Sequence, residues 1–248
     1  MDNVVVIIQA RLSSTRLPGK VLKSVLGKPL LWYLIDRVKQ AKEIKNVVIA
    51  TTTNEVDAPI VEFARLNGID LFRGSETDVL GRYYEAALQH KADIIVRVTS
   101  DCPLIDPEII DSTIRLYKSS GAQYAANTVP PETSKYPDGT DVEVFGIEAL
   151  KRAHEECKDP FDREHVTFYF WKRNNGFRLT QLKYDKDYSK YRFTIDYPED
   201  FEVIKFVFEE LKRRGSFGHM EEIIEILDAN PDIKGRNSKY YFGIGWKK

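Results

Sequence analysis

Five consecutive β-branched residues, Val4-Val5-Val6-Ile7-Ile8, run straight into the loop Gln9-Ala10-Arg11-Leu12-Ser13-Ser14-Thr15-Arg16-Leu17-Pro18-Gly19-Lys20. An unbroken apolar run without polar alternation is expected of a strand covered on both faces, as in a parallel sheet between helix layers. Loops at the carboxyl ends of such strands are where open α/β sheets bind ligands. This one carries three cations, three hydroxyls and a glycine. Arginine and lysine there favour an anion, arginine with bidentate geometry for phosphate. Gly19 would let the backbone approach that anion closely. A solvated basic turn is the plain alternative; the density of donors reads as a triphosphate cradle.

Strand and helix signals then alternate. Pro29 opens a helix to about residue 41, with Leu30, Leu31, Leu34, Ile35 and Val38 at helical spacing. Residues 47–50 form a second apolar strand, followed by a helix that ends near Asn67-Gly68. A short strand at 70–72, a helix over 77–90 and a strand at 94–98 follow, and Asp106-Pro107-Glu108 supplies a cap, a first-turn proline and a first-turn acid for the next helix. This alternation predicts an α/β fold with a mostly parallel sheet flanked by helices. Beyond residue 126, Pro130, Pro131, Pro137 and Gly139 mark 128–139 as loop. Residues 141–145 are extended, helices begin at Ile147 and Asp162, and 177–184 alternates like a half-exposed strand. Residues 192–195 read as a last short strand before helices over 198–214 and 219–228. One domain over 1–248 is expected, with an inserted substrate-facing and dimerisation lobe around 127–190.

Composition excludes several classes. With a net charge of -1 over 248 residues the chain lacks the basic footprint of a nucleic-acid binder. No run approaches the roughly 18 apolar residues of a membrane span, and no signal-peptide pattern precedes the first strand. Cys102 and Cys157 are far apart and lack metal-ligand spacing, and the four histidines form no zinc pattern. A soluble cytoplasmic protein with reduced thiols is expected.

Two aspartates stand at strand ends: Asp101 in Val98-Thr99-Ser100-Asp101-Cys102-Pro103, and Asp196 in Phe193-Thr194-Ile195-Asp196-Tyr197-Pro198. Together they suit Mg²⁺, which takes few protein oxygens and completes its shell with phosphate and water; Asp196 also fits an ordinary helix cap. The stretch Phe72-Arg73-Gly74-Ser75-Glu76-Thr77-Asp78-Val79-Leu80-Gly81-Arg82 reads either as a ligand-facing loop or as a helix start capped by Thr77. Clustered acids in Tyr136-Pro137-Asp138-Gly139-Thr140-Asp141-Val142-Glu143 suit sugar hydroxyls, although Pro-Asp-Gly is also a common turn. His165, in Asp162-Arg163-Glu164-His165-Val166, is expected to be structural.

Taken together these motifs resemble the CMP-sugar synthetase group of cytidylyltransferases. The loop Ala10 to Lys20 is similar to the signature loop of CMP-Kdo synthetases, and more loosely to that of CMP-sialate synthetases. The spore coat polysaccharide biosynthesis protein F branch is the nearer match. It shares Gln9, Phe72-Arg73-Gly74-Ser75, Asp101-Cys102-Pro103-Leu104-Ile105-Asp106-Pro107, Asp138-Gly139-Thr140-Asp141-Val142-Glu143-Val144 and Asp162-Arg163-Glu164-His165-Val166, in family order up to about residue 208. The segment beyond is less diagnostic.

The resemblance implies a glycosyltransferase-A-like nucleotidyltransferase fold, usually homodimeric. It implies Arg11, Ser14 and Lys20 on the CTP phosphates, helped by Arg16, with Ala10, Gly19 and the segment around Thr51 against the nucleotide. It implies Mg²⁺ on Asp101 and Asp196, and Ser75, Arg82, Asp141 and Glu143 toward the acceptor. Arg11, Lys20 and Asp101 would carry the chemistry: attack of an acceptor oxygen on the α-phosphorus of CTP, with release of pyrophosphate.

Two departures stand out. The 73–82 segment does not reproduce the motif that grips 2-keto-3-deoxy sugar acids, and Tyr197 stands where threonine is common after the second metal aspartate. The acceptor is therefore a sugar acid, another sugar or polyol, or a phosphorylated compound. A glycosyltransferase of related fold is the second enzyme reading, and the Asp-x-Asp metal motif it calls for is expected to be absent from the chain. A non-catalytic nucleotide-binding homologue is the third, and retention of Arg11, Lys20, Asp101 and Asp196 counts against it.

Overall fold

A computed structural model describes residues 2–244. The elements run β1 (Val4–Gln9), a small hairpin of β2 (Ser24–Val25) and β3 (Lys28–Pro29), α1 (Leu30–Val38), β4 (Asn46–Thr52), α2 (Ala58–Leu66), β5 (Asp70–Gly74), α3 (Val79–Gln89), β6 (Ile94–Thr99) and α4 (Pro107–Ser120). They continue with β7 (Tyr124–Ala126), β8 (Glu143–Gly146), α5 (Ile147–Glu156), α6 (Pro160–His165), α7 (Phe168–Trp171), β9 (Leu179–Gln181), α8 (Pro198–Arg214), α9 (Met220–Asp228) and α10 (Pro231–Lys234).

Seven strands form one sheet in the order β5-β4-β1-β6-β8-β7-β9. The first four are mutually parallel, and β8 turns antiparallel against β6 and β7. Because β1 lies between β4 and β6, the chain moves outward on one side of β1 and then crosses to the other. The crevice at the carboxyl ends of β1 and β6 is thus a topological switch point, where ligands bind in such sheets.

Strand periodicity divides β1 between two cores. Val4, Val6 and Ile8 pack with α1, α4, α8 and α9 on one face, and Val5 and Ile7 pack with α3 and α5 on the other. Both faces are covered, which is why the run shows no polar alternation. The 127–190 stretch contributes β8 and β9 to this same sheet and lays α5, α6 and α7 against it. Among the described residues no helix is long and apolar enough to cross a membrane.

Several boundaries differ from the sequence reading. Asp78, not Thr77, caps α3, its Oδ1 accepting the Gly81 amide at 2.9 Å. The helix expected at Asp162 starts at Pro160, capped by Asp159, and only Leu179–Gln181 of 177–184 is strand. Residues 192–195 join no ladder beyond one bridge between Asp138 and Arg192. Their amides go to loops instead, Phe193 N to the Asp138 carbonyl (2.6 Å) and Ile195 N to the Asp101 carbonyl (2.8 Å). That pairing brings the loops of Asp101, Asp138 and Asp196 together.

Gly139 makes the approach feasible. Its φ is +94°, and a Cβ there would lie 2.2 Å from the Thr194 amide nitrogen. Gly139→Ala is therefore expected to destabilise the protein by about 3 kcal/mol, combining an unfavourable backbone conformation with a backbone clash. Gly176→Ala is the control, since Gly176 also has positive φ (+73°) but open space around it. Denaturant midpoints of the two variants should differ clearly, and equal losses would refute the clash.

Candidate active site

The cleft at the ends of β1 and β6 is lined by the first loop, by Val79 and Arg82 of α3, by Arg97 and residues 99–101, by Glu164 and His165, and by Asp196. The loop is tied back on itself and to its neighbours. Leu12 N donates to Asp57 Oδ1 (2.7 Å), and Gly19 N to the Leu12 carbonyl (3.1 Å). Gly19, at φ 66°, starts the 3-10 turn Lys20–Leu22. Lys20 is the first residue of that turn and is only 9% exposed.

Lys20 Nζ donates to Asp101 Oδ2 (3.0 Å), Asp196 Oδ1 (2.9 Å) and the Ile195 carbonyl (2.7 Å). Burial alone would push its pKa down, but the two carboxylates outweigh that and raise it. In return, burial notwithstanding, Lys20 and Arg16 hold Asp196 down to about 2. Arg16 meets Asp196 Oδ1 at 2.7 Å. Behind them Arg192, 6% exposed, pairs with Asp138, with Asp196 (3.3 Å) and with Asp200 (2.9 Å). Four carboxylates, of Asp101, Asp138, Asp196 and Asp200, thus face three cations, of Lys20, Arg16 and Arg192.

That arrangement fits Mg²⁺. Asp101 and Asp196 converge on one cationic point, and their atoms are the hard oxygens the ion prefers.

Toward the other wall the cleft is cationic. Arg11 has only distant partners, Glu76 at 3.6 Å and Glu164 at 3.7 Å. Arg82 is 2% exposed, and its Nη1 donates to the Ser75 carbonyl (2.6 Å) while its Nε has no hydrogen-bond partner among the described residues. Burial, and after it the like charge of Arg11, lowers the Arg82 pKa. Arg97 pairs with Glu143, which Tyr124 and Thr167 also engage. Gln9 Oε1, also on this cleft, is buried without a hydrogen-bond partner among the described residues.

His165 enters the cleft from a strained turn. Val166 has φ 58° and ψ -64°, and Thr167 N donates to the His165 carbonyl at 2.6 Å, a γ-turn that is costly for a β-branched residue. The imidazole stacks on Phe168 with centroids 4.4 Å apart. Burial, then Arg97 and Lys172, lowers its pKa to about 4, so it is neutral at physiological pH. Between that value and the unfolded one, about 6.5, the unfolded chain binds more protons. Stability should therefore hold above about pH 6.5 and fall as the pH drops toward about 4. A His165→Gln variant should lose this part of the slope in denaturant midpoints measured across that window. An unchanged slope would remove His165 as its source.

Of the residues expected at the site, Ala10, Arg11, Ser14, Arg16, Lys20, Arg82, Asp101 and Asp196 line the cleft. Five lie elsewhere. Gly19 shapes the loop from behind, and Thr51 is 0% exposed because both faces of β4 are covered. Ser75 faces solvent, its hydroxyl accepting the Asp78 amide (3.0 Å). Asp141 is held by the Thr128 hydroxyl (2.7 Å) and the Gly139 amide (2.8 Å). Glu143, 4% exposed, serves Arg97 from behind. Asp185-Lys186-Asp187 does have Asp-x-Asp spacing, but it is exposed and off the cleft, with Asp187 holding Ser189. Arg97, His165 and Arg192 were not anticipated as part of the site. For both arginines a signal existed, a charge inside an apolar run, which demands a partner.

Groups arranged in this way are suited to a triphosphate and its cation, and on this fold they make the chain a nucleotidyltransferase. It belongs to the cytidylyltransferase family, which it matches over residues 5–224. Spore coat polysaccharide biosynthesis protein SpsF of Bacillus subtilis is 33% identical, covering 94% of this chain and 97% of that protein. A cytidylyltransferase from Leptospira borgpetersenii is 35% identical, with a TM-score of 0.86 over 94% of this chain and 97% of that one. A CMP:2-keto-3-deoxy-manno-octonic acid synthetase solved with CTP has the same fold, at a TM-score of 0.64 and 18% identity over 84% of this chain and 99% of that one. Within the family the chain falls in the CMP-sugar synthetase group.

Proposed function

We propose that this chain transfers CMP from CTP to an oxygen of a sugar-like acceptor, with release of pyrophosphate and with Mg²⁺ held by Asp101 and Asp196. One observation supports this above all: the two carboxylates converge on Lys20 Nζ beneath a loop rich in phosphate donors. The name of the Bacillus subtilis relative supports a place in surface polysaccharide synthesis.

The reaction concentrates negative charge where a weak oxygen nucleophile must approach in line. Mg²⁺, when bound, would neutralise part of that charge and favour departure of pyrophosphate. Arg11, weakly engaged at 3.6 and 3.7 Å, is free to turn onto phosphate. Lys20 lies between the acids and the loop, so its flexible stem can exchange carboxylate for phosphate oxygen. Ser13, Ser14 and Thr15 line the same space. Arg82, with no carboxylate partner, leaves a positive charge for the ligand at the α3 wall, where neutral His165 adds a hydrogen-bonding ring. No covalent intermediate is needed.

The test is pyrophosphate release with CTP, UTP, ATP and GTP, with and without Mg²⁺, against pools of sugar acids, sugars and polyols, and sugar phosphates. CTP-specific, Mg²⁺-dependent release with one pool is expected. Silence in every pool, together with no CTP binding by calorimetry, would refute the reading.

A further inference from the structure

The family match ends at residue 224, yet the chain continues through α10 and returns to the turn behind Asp196. Asn237, 4% exposed, donates from Nδ2 to Asp200 Oδ1 (3.0 Å) and to the Arg192 carbonyl (3.2 Å). Asp200, fully buried, accepts the amides of Asp196 (2.9 Å) and Tyr197 (3.0 Å) on Oδ2 and Arg192 Nε (2.9 Å) on Oδ1. The turn that carries the Asp196 carboxylate is therefore fixed by one buried acid, and the tail supplies one of that acid's donors.

A second contact reaches the same turn. The Tyr240 ring lies on the Tyr197 ring, centroids 3.9 Å apart and planes within 3°. Tyr240 OH and Lys239 Nζ both hold Glu199, at 3.1 and 2.6 Å. The Arg16 guanidinium stands 5.4 Å from the Tyr197 centroid while bonding Asp196. The tail thus supplies the aromatic partner of the Tyr197 ring.

We propose that residues 235–240 form a brace, with Asn237 and Tyr240 as positioning residues, that sets where the Asp196 carboxylate stands and so how strongly the site holds Mg²⁺ with CTP. The cation part rests on the function proposed above; the brace itself does not. Outer partners of a ligating carboxylate alter metal affinity by about 10–100-fold when removed.

The experiment compares wild type, Asn237→Ala, Tyr240→Ala and Tyr240→Phe in two readouts. In hydrogen exchange, the amides of Ile195, Asp196 and Tyr197 should exchange about tenfold faster in the two alanine variants, with β1 unchanged, because the effect is local opening. Unchanged exchange at 195–197, or equal acceleration in β1, would overturn the brace whatever the nucleotide result. In calorimetry with Mg²⁺ and CTP, the alanine variants should need about tenfold more Mg²⁺. Tyr240→Phe, which keeps the stack and loses only the bond to Glu199, should stay within about twofold of wild type. Faster exchange with unaltered Mg²⁺ dependence would leave the tail a structural tie and contradict the positioning role. A wild type that binds no Mg²⁺ and CTP would refute the functional reading, while the exchange data still decide the brace.

Discussion

Lys20→Ala should lower turnover with CTP by about 10³-fold while the protein remains folded, since removing one preorganised donor to a developing anion costs about 10²–10³ and this residue also neutralises the acids. The fold survives because Asp196 keeps Arg16 at 2.7 Å and Arg192 at 3.3 Å. Asp101 loses its ion pair with Lys20, but its side chain is 27% exposed and water can solvate it. Circular dichroism should match wild type, and steady-state pyrophosphate release should separate the two proteins. Activity within about tenfold of wild type would take Lys20 out of the phosphate site.

Asp101→Asn tests the other half of the pair. The substitution conserves shape and removes only charge, and Lys20 keeps its bonds to Asp196 and to the Ile195 carbonyl. Turnover should fall by about 10²-fold or more at saturating CTP, with a higher Mg²⁺ requirement, as expected when one of two hard oxygen ligands becomes a neutral amide. Chelation with EDTA should silence wild type in the same assay. A variant with normal rate and normal Mg²⁺ dependence would show that the cation is held elsewhere.

The fold was legible because β1, β4 and β6 are largely buried on both faces, which forces apolar runs broken only by Arg97 in β6. The same burial hid Thr51. A polar residue after an apolar run suggests an exposed strand end, yet β4 extends to Thr52 and covers it. Local sequence could not reveal that β6 and β8 pair in the register Arg97 to Glu143, which makes Glu143 the buried partner of an arginine rather than a ligand for sugar. Ser75 and Asp141 failed for a similar reason: each is spent on a nearby backbone amide that no spacing rule announces. Asp101 drew attention because it follows the end of β6, Lys20 because it closes the donor-rich loop after β1, and Asp196 because it follows an apolar run before a helix.

Residues 192–195 carry the clearest lesson. Their composition promises a strand, but their amides bond to loops, and that misplaced expectation concealed the centre of the acid network at Arg192. The tail was opaque for another reason. Asn237 and Tyr240 act through contacts made 37 and 43 positions away in sequence, on Asp200 and Tyr197, and no local periodicity encodes them.

The most direct test follows the atoms. CTP labelled at the α-phosphorus is incubated with Mg²⁺, the protein and the responsive acceptor pool, and the products are separated by charge and mass. Label in a new compound that contains CMP joined to the acceptor, with unlabelled pyrophosphate in equal amount, is the expected result. Label that remains in CTP, or leaves as free CMP or CDP without an acceptor conjugate, would contradict cytidylyl transfer.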